Sequence, residues 1–194
     1  MGIHNTINVM SPETPQKKEN FFIEIIKFTL IALAIVIPVR TYIAQPFIVS
    51  GASMDPTFSS GQYLIVDQIS YRFEDPKRDD VIIFKYPLDP ETYFIKRIIG
   101  LPRETISVKG GEITIYNNEN PDGIKIEEPY ITDEHRTTET FSITLGSTEY
   151  FVMGDNRAQS SDSRRWGPLD LKFIVGRPII RLLPISKIDL LLGR

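Results

Sequence analysis

Ser53 lies in a turn-forming stretch, residues 50–57, whose residue types could build a serine nucleophile. The stretch reads SGASMDPT, and two serines, a glycine and a proline are typical of a turn rather than of a helix or strand interior. Such a turn can project a hydroxyl beside backbone N–H groups, as a nucleophile with an oxyanion hole requires. The alternative is a polar turn without a chemical role.

Lys96 belongs to the run 92–99 (TYFIKRII), whose aromatic and β-branched residues predict a strand. In a strand Phe94, Lys96 and Ile98 share one face, and Arg97 lies on the other. Because both faces are largely apolar, we expect at least one cation to be drawn into apolar surroundings. Desolvation disfavours the ammonium, so the pKa of Lys96 would fall toward the range of a general base. The alternative is an edge strand whose cations reach solvent.

A third polar cluster occupies residues 154–164, with the sequence GDNRAQSSDSR. Glycine, aspartate and asparagine suit a tight turn, and alternating acids and arginines suit ion pairs that brace a loop. A solvated loop is the alternative. A Ser–His–Asp triad would have to use His135, but a catalytic base must be held by a buried orienting group, and His135 lies in the charged stretch DEHR. A carboxylate pair stays open, because no spacing singles one out among 25 acidic residues.

The composition argues against several other kinds of site. There is no cysteine, which rules out disulfides, thiolate nucleophiles and cysteine-based zinc sites, and two histidines do not favour a multi-histidine metal site. Neither a phosphate-binding glycine loop nor a dinucleotide fingerprint is present. A net charge of −3 argues against nucleic acid as a partner. We therefore expect no metal, no cofactor and no nucleic acid.

The elements that must position these residues are short strands. Segments rich in Ile, Val, Tyr and Phe predict strands at 62–67, 80–86, 92–99, 104–109, 112–116, 141–145 and 149–153. Residues 172–183 form a final apolar run that Gly176 and Pro178 interrupt. Gly110 and Gly111 predict a hairpin, and the polar stretch 117–140 predicts an exposed excursion. The sequence therefore predicts a mostly-β domain over residues 41–194, either a barrel or a sandwich.

Residues 21–40 have the length and composition of a membrane-spanning helix. Lys17 and Lys18 precede this segment and Arg40 alone follows closely, so the positive-inside rule places the tail, residues 1–20, in the cytoplasm. A buried core helix and a cleavable signal peptide are the alternatives; a long apolar core without a small-x-small site after it argues against the second. We predict one anchor, with the rest of the chain on the exported side.

Together these stretches resemble the bacterial type I signal peptidases, which are membrane-anchored serine proteases that remove signal peptides. The family's motifs occur in order: the anchor, SGASMDPT at 50–57, DDVIIFKYP at 79–87, YFIKRIIGLP at 93–102 and GDNRAQSSDSRRWG at 154–167. Each motif alone is only weakly specific for the family, but the ordered set is highly specific. The resemblance leaves a variable excursion near 104–148 and implies a mostly antiparallel β domain against the membrane surface.

The resemblance implies a Ser–Lys dyad. Ser53 matches the nucleophile, and its backbone N–H would donate to the oxyanion. Lys96 matches the general base, which takes the hydroxyl proton and later returns a proton to the leaving amine. Ser160 matches the serine that orients the lysine amine, and Asp162 and Arg164 match the pair that braces the site.

The resemblance also implies shallow apolar pockets that admit only small residues at the first and third positions before the cut. This gives the family its preference for Ala-x-Ala. The matching residues here are Phe47, Val49, Met54, Phe58 and Ile95.

Three residues depart from the family's pattern. Gly51 stands where some members have a serine whose hydroxyl completes the oxyanion hole, and Ser50 is one position too early to replace it. Asp79 and Arg103 stand where the family usually has turn glycines. We expect these two changes to alter loop conformation and not activity.

The function implied is cleavage of signal-peptide-bearing preproteins at the bacterial plasma membrane. The lipid bilayer and the secretion translocon are candidate partners. One alternative is a membrane-anchored, catalytically silent binding or assembly module, against which the joint presence of Ser53, Lys96 and Ser160 argues. Another is a self-cleaving repressor of the SOS type, which would carry an N-terminal DNA-binding domain where this chain has an apolar segment.

Overall fold

The computed structural model describes residues 21–132, 135–136 and 139–191, so the predicted tail at 1–20 lies outside the described residues. The chain divides into two units, Met1–Ile37 and Pro38–Arg194. In the first unit the described element is helix α1 (Phe21–Pro38), which has a mean hydropathy of 2.3 and no buried residue. By length and composition α1 could cross a membrane, and it is not a buried core helix.

The second unit is built mainly from short strands. Its one-turn helix α2 spans Ser163–Trp166. In chain order its described strands are β1 (Ala44–Ile48), β2 (Tyr63–Asp67), β3 (Val81–Tyr86), β4 (Asp89–Gly100), β5 (Thr105–Lys109), β6 (Glu112–Tyr116), β7 (Ile124–Lys125), β8 (Phe141–Thr144), β9 (Glu149–Met153), β10 (Leu169–Asp170), β11 (Ile174–Leu183) and β12 (Asp189–Leu190). Each of the predicted segments contains a strand, and the mostly-β prediction is confirmed.

In the described part of the chain the strands form two antiparallel sheets. The larger sheet has the order β1-β2-β11-β3-β4-β9-β10, with β12 paired to β11, and the smaller has the order β7-β6-β5-β8. Strand β11 therefore lies between the β1–β2 pair and the β3–β4 pair. The segment 50–57 follows β1, and Lys96 lies on β4, so β11 connects the two parts of the sheet that carry the candidate dyad.

Two glycines form the turn of the hairpin between β5 and β6. Gly110 and Gly111 have φ values of 60° and 85°, as a two-residue hairpin turn with positive φ at both positions requires. The predicted hairpin is confirmed.

Strand β1 was not predicted because it contains Pro46, which cannot donate a ladder hydrogen bond. Its position at the sheet edge tolerates that loss.

Two turns adopt the left-handed backbone conformation without glycine. Asp79 has φ 71° and Arg103 has φ 69°. For residues with a side chain this conformation costs about 1–2 kcal/mol. Both turns thus have the form that glycine favours, at the two positions where the resemblance places glycine.

Candidate active site

The side chains of Ser53 and Lys96, 43 residues apart in sequence, meet at one end of the segment 50–57. Nζ of Lys96 lies 2.8 Å from Oγ of Ser53, and it also donates to the carbonyl of Ile95 at 2.9 Å. When the amine is protonated it donates to the hydroxyl. When it is neutral, its lone pair can accept the hydroxyl proton, which is the geometry that a general base needs.

Lys96 is buried because β4 lies between β3 and β9, not at an edge. Its residue is 3% exposed, it faces Ile82 across the β3 pairing, and its amine lies 5.2 Å from the ring centre of Phe94. Burial lowers the pKa of Lys96 to about 8, against the carboxylates of Asp162 and Asp155, which raise it. The expectation of a cation in apolar surroundings is confirmed, and the edge-strand alternative is wrong.

Arg97, on the opposite face of β4, is a second buried cation. It donates from Nε and Nη2 to the two carboxylate oxygens of Asp155, at 2.9 and 2.7 Å. The same carboxylate accepts a 2.5 Å hydrogen bond from the hydroxyl of Thr57. Asp155 therefore ties β4, which carries Lys96, to the turn that carries Ser53. Asp155 belongs to the polar cluster at 154–164 that the sequence singles out, whereas no role was predicted for Arg97 or Thr57.

Gly154 packs directly against the backbone of Ser53. A Cβ at this position would lie closer than 3.0 Å to the Ser53 carbonyl oxygen and to Oγ of Ser160. The adjoining N–H groups are also engaged: that of Gly154 donates to Asp162, and that of Asn156 donates to the Ser53 carbonyl, both at 3.0 Å. Glycine is required here because no side chain fits between the two serines.

Asp162 and Arg164 form the ion pair that the sequence motif predicts. Nε and Nη2 of Arg164 donate to the two oxygens of the buried Asp162 carboxylate, at 2.8 and 2.9 Å. Burial alone would raise the pKa of Asp162, but the hydrogen bonds and charge of Arg164, together with the Gly154 N–H, bring it below the ordinary value. The carboxylate is ionised at neutral pH and holds the 154–164 loop closed.

Ser160 is a buried residue of this same loop, but its hydroxyl is not paired with the lysine. In the described part of the chain Oγ of Ser160 makes no well-formed hydrogen bond, although its closeness to Asp162 helps to lower the pKa of that carboxyl. The carbonyl of Ile95 orients the amine of Lys96 instead. The role of Ser160 in orienting the lysine therefore stays a prediction.

An apolar cleft of about 280 Å³ opens at the dyad. Of the predicted substrate-binding residues, Phe47, Val49 and Ile95 line it. Met54 and Phe58 do not line it; they are 1% and 2% exposed and pack in the core cluster beneath the segment 50–57. The lining also includes three residues outside the predicted set, Tyr93, Gln159 and Ser161.

Gly51 lines the same cleft with its backbone only. It is exposed, has a φ of 90°, and a Cβ there would meet no atom within 4 Å. A serine at this position would thus have room for its side chain but would need a strained backbone. The backbone N–H of Ser53 donates to no acceptor among the described residues.

Arg181 of β11 is a supporting residue that the sequence analysis missed. Its Nη2 donates to the backbone carbonyl of Thr57 at 2.9 Å, and its guanidinium lies 5.1 Å from the ring centre of Phe58. The two partners in the hydrogen bond are 124 residues apart, so no local sequence pattern could have indicated the contact.

This chain is similar to known proteins along most of its length. The sequence profile described as signal peptidase, peptidase S26, matches residues 22–183. A probable signal peptidase I-2 from Synechocystis sp. is 33% identical over 189 residues, covering 92% of this chain and 83% of that protein. Signal peptidase I from Bacillus licheniformis is 32% identical over 189 residues, covering 92% and 98%.

A crystal structure of a signal peptidase I from Enterococcus faecalis V583 is 28% identical, with a TM-score of 0.45 over 54% of this chain and 97% of that one. The profile covers most of the chain, and the Synechocystis protein is matched over more than two thirds of its own length. This chain therefore belongs to the signal peptidase family, peptidase S26.

Proposed function

We propose that this protein is a membrane-anchored serine endopeptidase that removes signal peptides from exported preproteins, with Ser53 as nucleophile and Lys96 as general base. The class of enzyme, signal peptidase I, follows from the family. The observation that carries the assignment of residues is the 2.8 Å contact between Oγ of Ser53 and an amine whose burial lowers its pKa to about 8. Such an amine is neutral often enough near neutral pH to act as a base.

The reaction proceeds through an acyl-enzyme. Neutral Lys96 accepts the Ser53 proton as Oγ attacks the scissile carbonyl carbon, and a tetrahedral oxyanion forms. The intermediate collapses when the C–N bond breaks and the lysine ammonium gives its proton to the leaving amine. Lys96 then takes a proton from water, which attacks the ester, and the ammonium returns a proton to Oγ as the signal peptide leaves with its new carboxylate.

The remaining residues of the site position this pair. The free N–H of Ser53 is a donor for the oxyanion, and Gly51 shapes the backbone before it. Asp162 and Arg164 hold the 154–164 loop, and Ser160 is the residue that the resemblance assigns to orienting the amine of Lys96. The walls formed by Phe47, Val49 and Ile95 take small side chains before the cut, which gives a preference for Ala-x-Ala.

We further propose that α1 anchors the protein as a single span in the bacterial plasma membrane. Its apolar composition supports the anchor, and the lysines before it support a cytoplasmic N-terminus with the β domain on the exported side. In this arrangement the domain meets preproteins as they emerge. The lipid bilayer is then a direct partner, and the secretion translocon is a candidate partner.

The test is cleavage of a preprotein that ends its signal peptide in Ala-x-Ala, by full-length protein in detergent. Ser53→Ala and Lys96→Ala are the variants, and Ser60→Ala and Lys85→Ala, at exposed positions, are the matched controls. We expect cleavage after the last alanine by the wild type and both controls, and a loss of at least 10³-fold in the two variants. Leucine in place of either alanine should abolish cleavage.

Two outcomes would contradict the proposal in different ways. Full activity of Lys96→Ala would mean that another group is the base, although the family assignment would stand. A wild type that binds the preprotein without cutting it would indicate the silent binding module.

A further inference from the structure

The segment that follows β7, within the predicted excursion at 117–140, contacts charged residues near Ser53 and Lys96. Its stretch 126–131 reads IEEPYI, and Ile131 at its end is buried. Within it the Ile131 N–H donates to the Glu128 carbonyl, and the Tyr130 hydroxyl donates to the Glu128 carboxylate at 3.2 Å. The stretch is therefore an ordered turn that presents one carboxylate and one aromatic ring to the domain.

The carboxylate of Glu128 binds the guanidinium of Arg157. Both Nη atoms of Arg157 donate to it, Nη1 at 3.2 Å and Nη2 at shorter range. The side chains are 7% and 1% exposed, so the two charges neutralise one another away from water. Among the described residues, no other carboxylate hydrogen-bonds to this arginine, so its charge would be left buried and uncompensated without Glu128.

Arg157 in turn fixes the loop that packs on the candidate nucleophile. Its Nε donates to the Gly154 carbonyl at 2.9 Å, and its own carbonyl accepts from Nη2 of Arg164 at 2.7 Å. Gly154 touches the Ser53 backbone, and Arg164 holds Asp162. A single chain of contacts therefore runs from Glu128 through Arg157 to the nucleophile.

Tyr130 makes the second contact, on the side of the base. Its ring centre lies 3.9 Å from Cζ of Arg97, which is the stacked distance of a cation–π pair. Arg97 follows Lys96 on β4 and carries the ion pair to Asp155. Burial and the nearby Glu128 raise the pKa of Tyr130, so the phenol remains protonated and donates to Glu128.

We propose that Glu128 and Tyr130 are positioning residues for catalysis, which hold the nucleophile through Arg157 and the base strand through Arg97. This inference depends on the proposed Ser53–Lys96 chemistry. The excursion then belongs to the catalytic unit, and substitutions in it reduce turnover although neither side chain lines the cleft.

The decisive variants are Glu128→Gln and Tyr130→Leu. We expect kcat to fall at least tenfold in each, with KM changed less than twofold, because the cleft is untouched. Glu127→Gln removes the same charge from the adjacent exposed position and should stay within twofold of the wild type. Tyr130→Phe keeps the ring over Arg97 and should lose less than threefold.

The pH–rate profile separates positioning from mere stability. In these variants Arg97 and Arg164 are held less firmly, so they neutralise Asp155 and Asp162 less and water reaches the site. More negative charge and more water near the amine both raise the pKa of Lys96. The acidic limb should therefore move to higher pH in Glu128→Gln and Tyr130→Leu. If Glu128 and Tyr130 only stabilised the fold, the variants would have a lower folded fraction. The acidic limb of the pH–rate profile and the kcat per folded molecule would then match those of the wild type, and this result would overturn the proposal.

A double variant tests whether Glu128 acts through Arg157. If it does, Glu128→Gln combined with Arg157→Gln loses no more activity than Arg157→Gln alone. Losses that multiply would refute that link. If the wild type and Glu127→Gln cut while Glu128→Gln and Tyr130→Leu also retain full kcat, only this inference fails. If the wild type cuts nothing, the proposed function fails and the inference fails with it.

Discussion

Replacing Lys96 with methionine should abolish cleavage and make the protein more stable. Methionine has a similar length and no charge, so it fills the same apolar space between β3 and β9 without the cost of burying an ammonium. The proposed base is a group that the fold holds at an energetic disadvantage. The gain in stability on removing it therefore measures how strongly the site perturbs the lysine.

The size and sign of the effect follow from the pKa of Lys96, which burial lowers from 10.5 to about 8. At about 1.4 kcal/mol per pH unit, this difference corresponds to about 3 kcal/mol of unfolding free energy. Below pH 8 the lysine is protonated in both states, and the folded protein bears the whole penalty. Between pH 8 and 10.5 only the unfolded state holds the proton, so the stability of the wild type rises through this window.

The free energy of unfolding of wild type and Lys96→Met is to be compared in urea at pH 7 and pH 10.5, with the fluorescence of Trp166 as the signal. We subtract the unfolding free energy of the wild type from that of Lys96→Met at each pH. This difference should be about 3 kcal/mol larger at pH 7 than at pH 10.5. The variant also loses the hydrogen bonds to Ser53 and Ile95, which contribute about 1 kcal/mol each. This loss lowers the unfolding free energy of the variant by the same amount at both pH values.

Lys85→Met, at an exposed lysine of β3, is the matched control and should change stability by less than about 0.5 kcal/mol at either pH. A gap between wild type and Lys96→Met that does not depend on pH would refute the reasoning. In that case the amine would titrate in the folded protein as it does in the unfolded chain, and a lysine of that kind would be a poor base at neutral pH.

Further predictions concern the pH profile and two backbone positions. With neutral Lys96 as base, kcat/KM should rise about tenfold per pH unit below pH 8 and level off above it, in a titration from pH 6 to 9. Gly154→Ala should reduce kcat by about 100-fold or more, because its methyl group would displace Ser53 or Ser160; a kcat near that of wild type would contradict this packing. Arg103→Gly should relieve the left-handed strain and raise the free energy of unfolding by about 0.5–1 kcal/mol in urea titrations, with unchanged kcat/KM.

The strands could be predicted because their signals are local, whereas the proposed pairing of Ser53 with Lys96 came from the family resemblance. Apolar residues on both faces of the strand around Lys96 indicated that at least one cation would lie in apolar surroundings, and the turn residues around Ser53 indicated a hydroxyl beside backbone N–H groups. Both signals lie within ten residues of the side chain concerned. The edge strand with Pro46 escaped notice, because its tolerance of proline depends on where β1 sits in the sheet.

The supporting contacts could not be predicted because they join distant parts of the chain. Arg157 and Glu128 are 29 residues apart, and Thr57 and Asp155 are 98 apart. Composition indicated a solvated excursion around Glu128, since a run of charged residues has the same appearance whether or not one of them is buried against an arginine. Burial of a single charge depends on tertiary structure, which no spacing within the run encodes.

The place of β11 in the larger sheet has a consequence for how the site is assembled. The β1–β2 pair, next to Ser53, and the β3–β4 pair, which carries Lys96, are joined through β11. Until β11 inserts, the ladder that connects the proposed nucleophile and the proposed base does not exist, and pairing of this kind across long sequence separation is slow. Insertion of β11 is therefore the folding step that brings the two proposed catalytic residues within reach of one another.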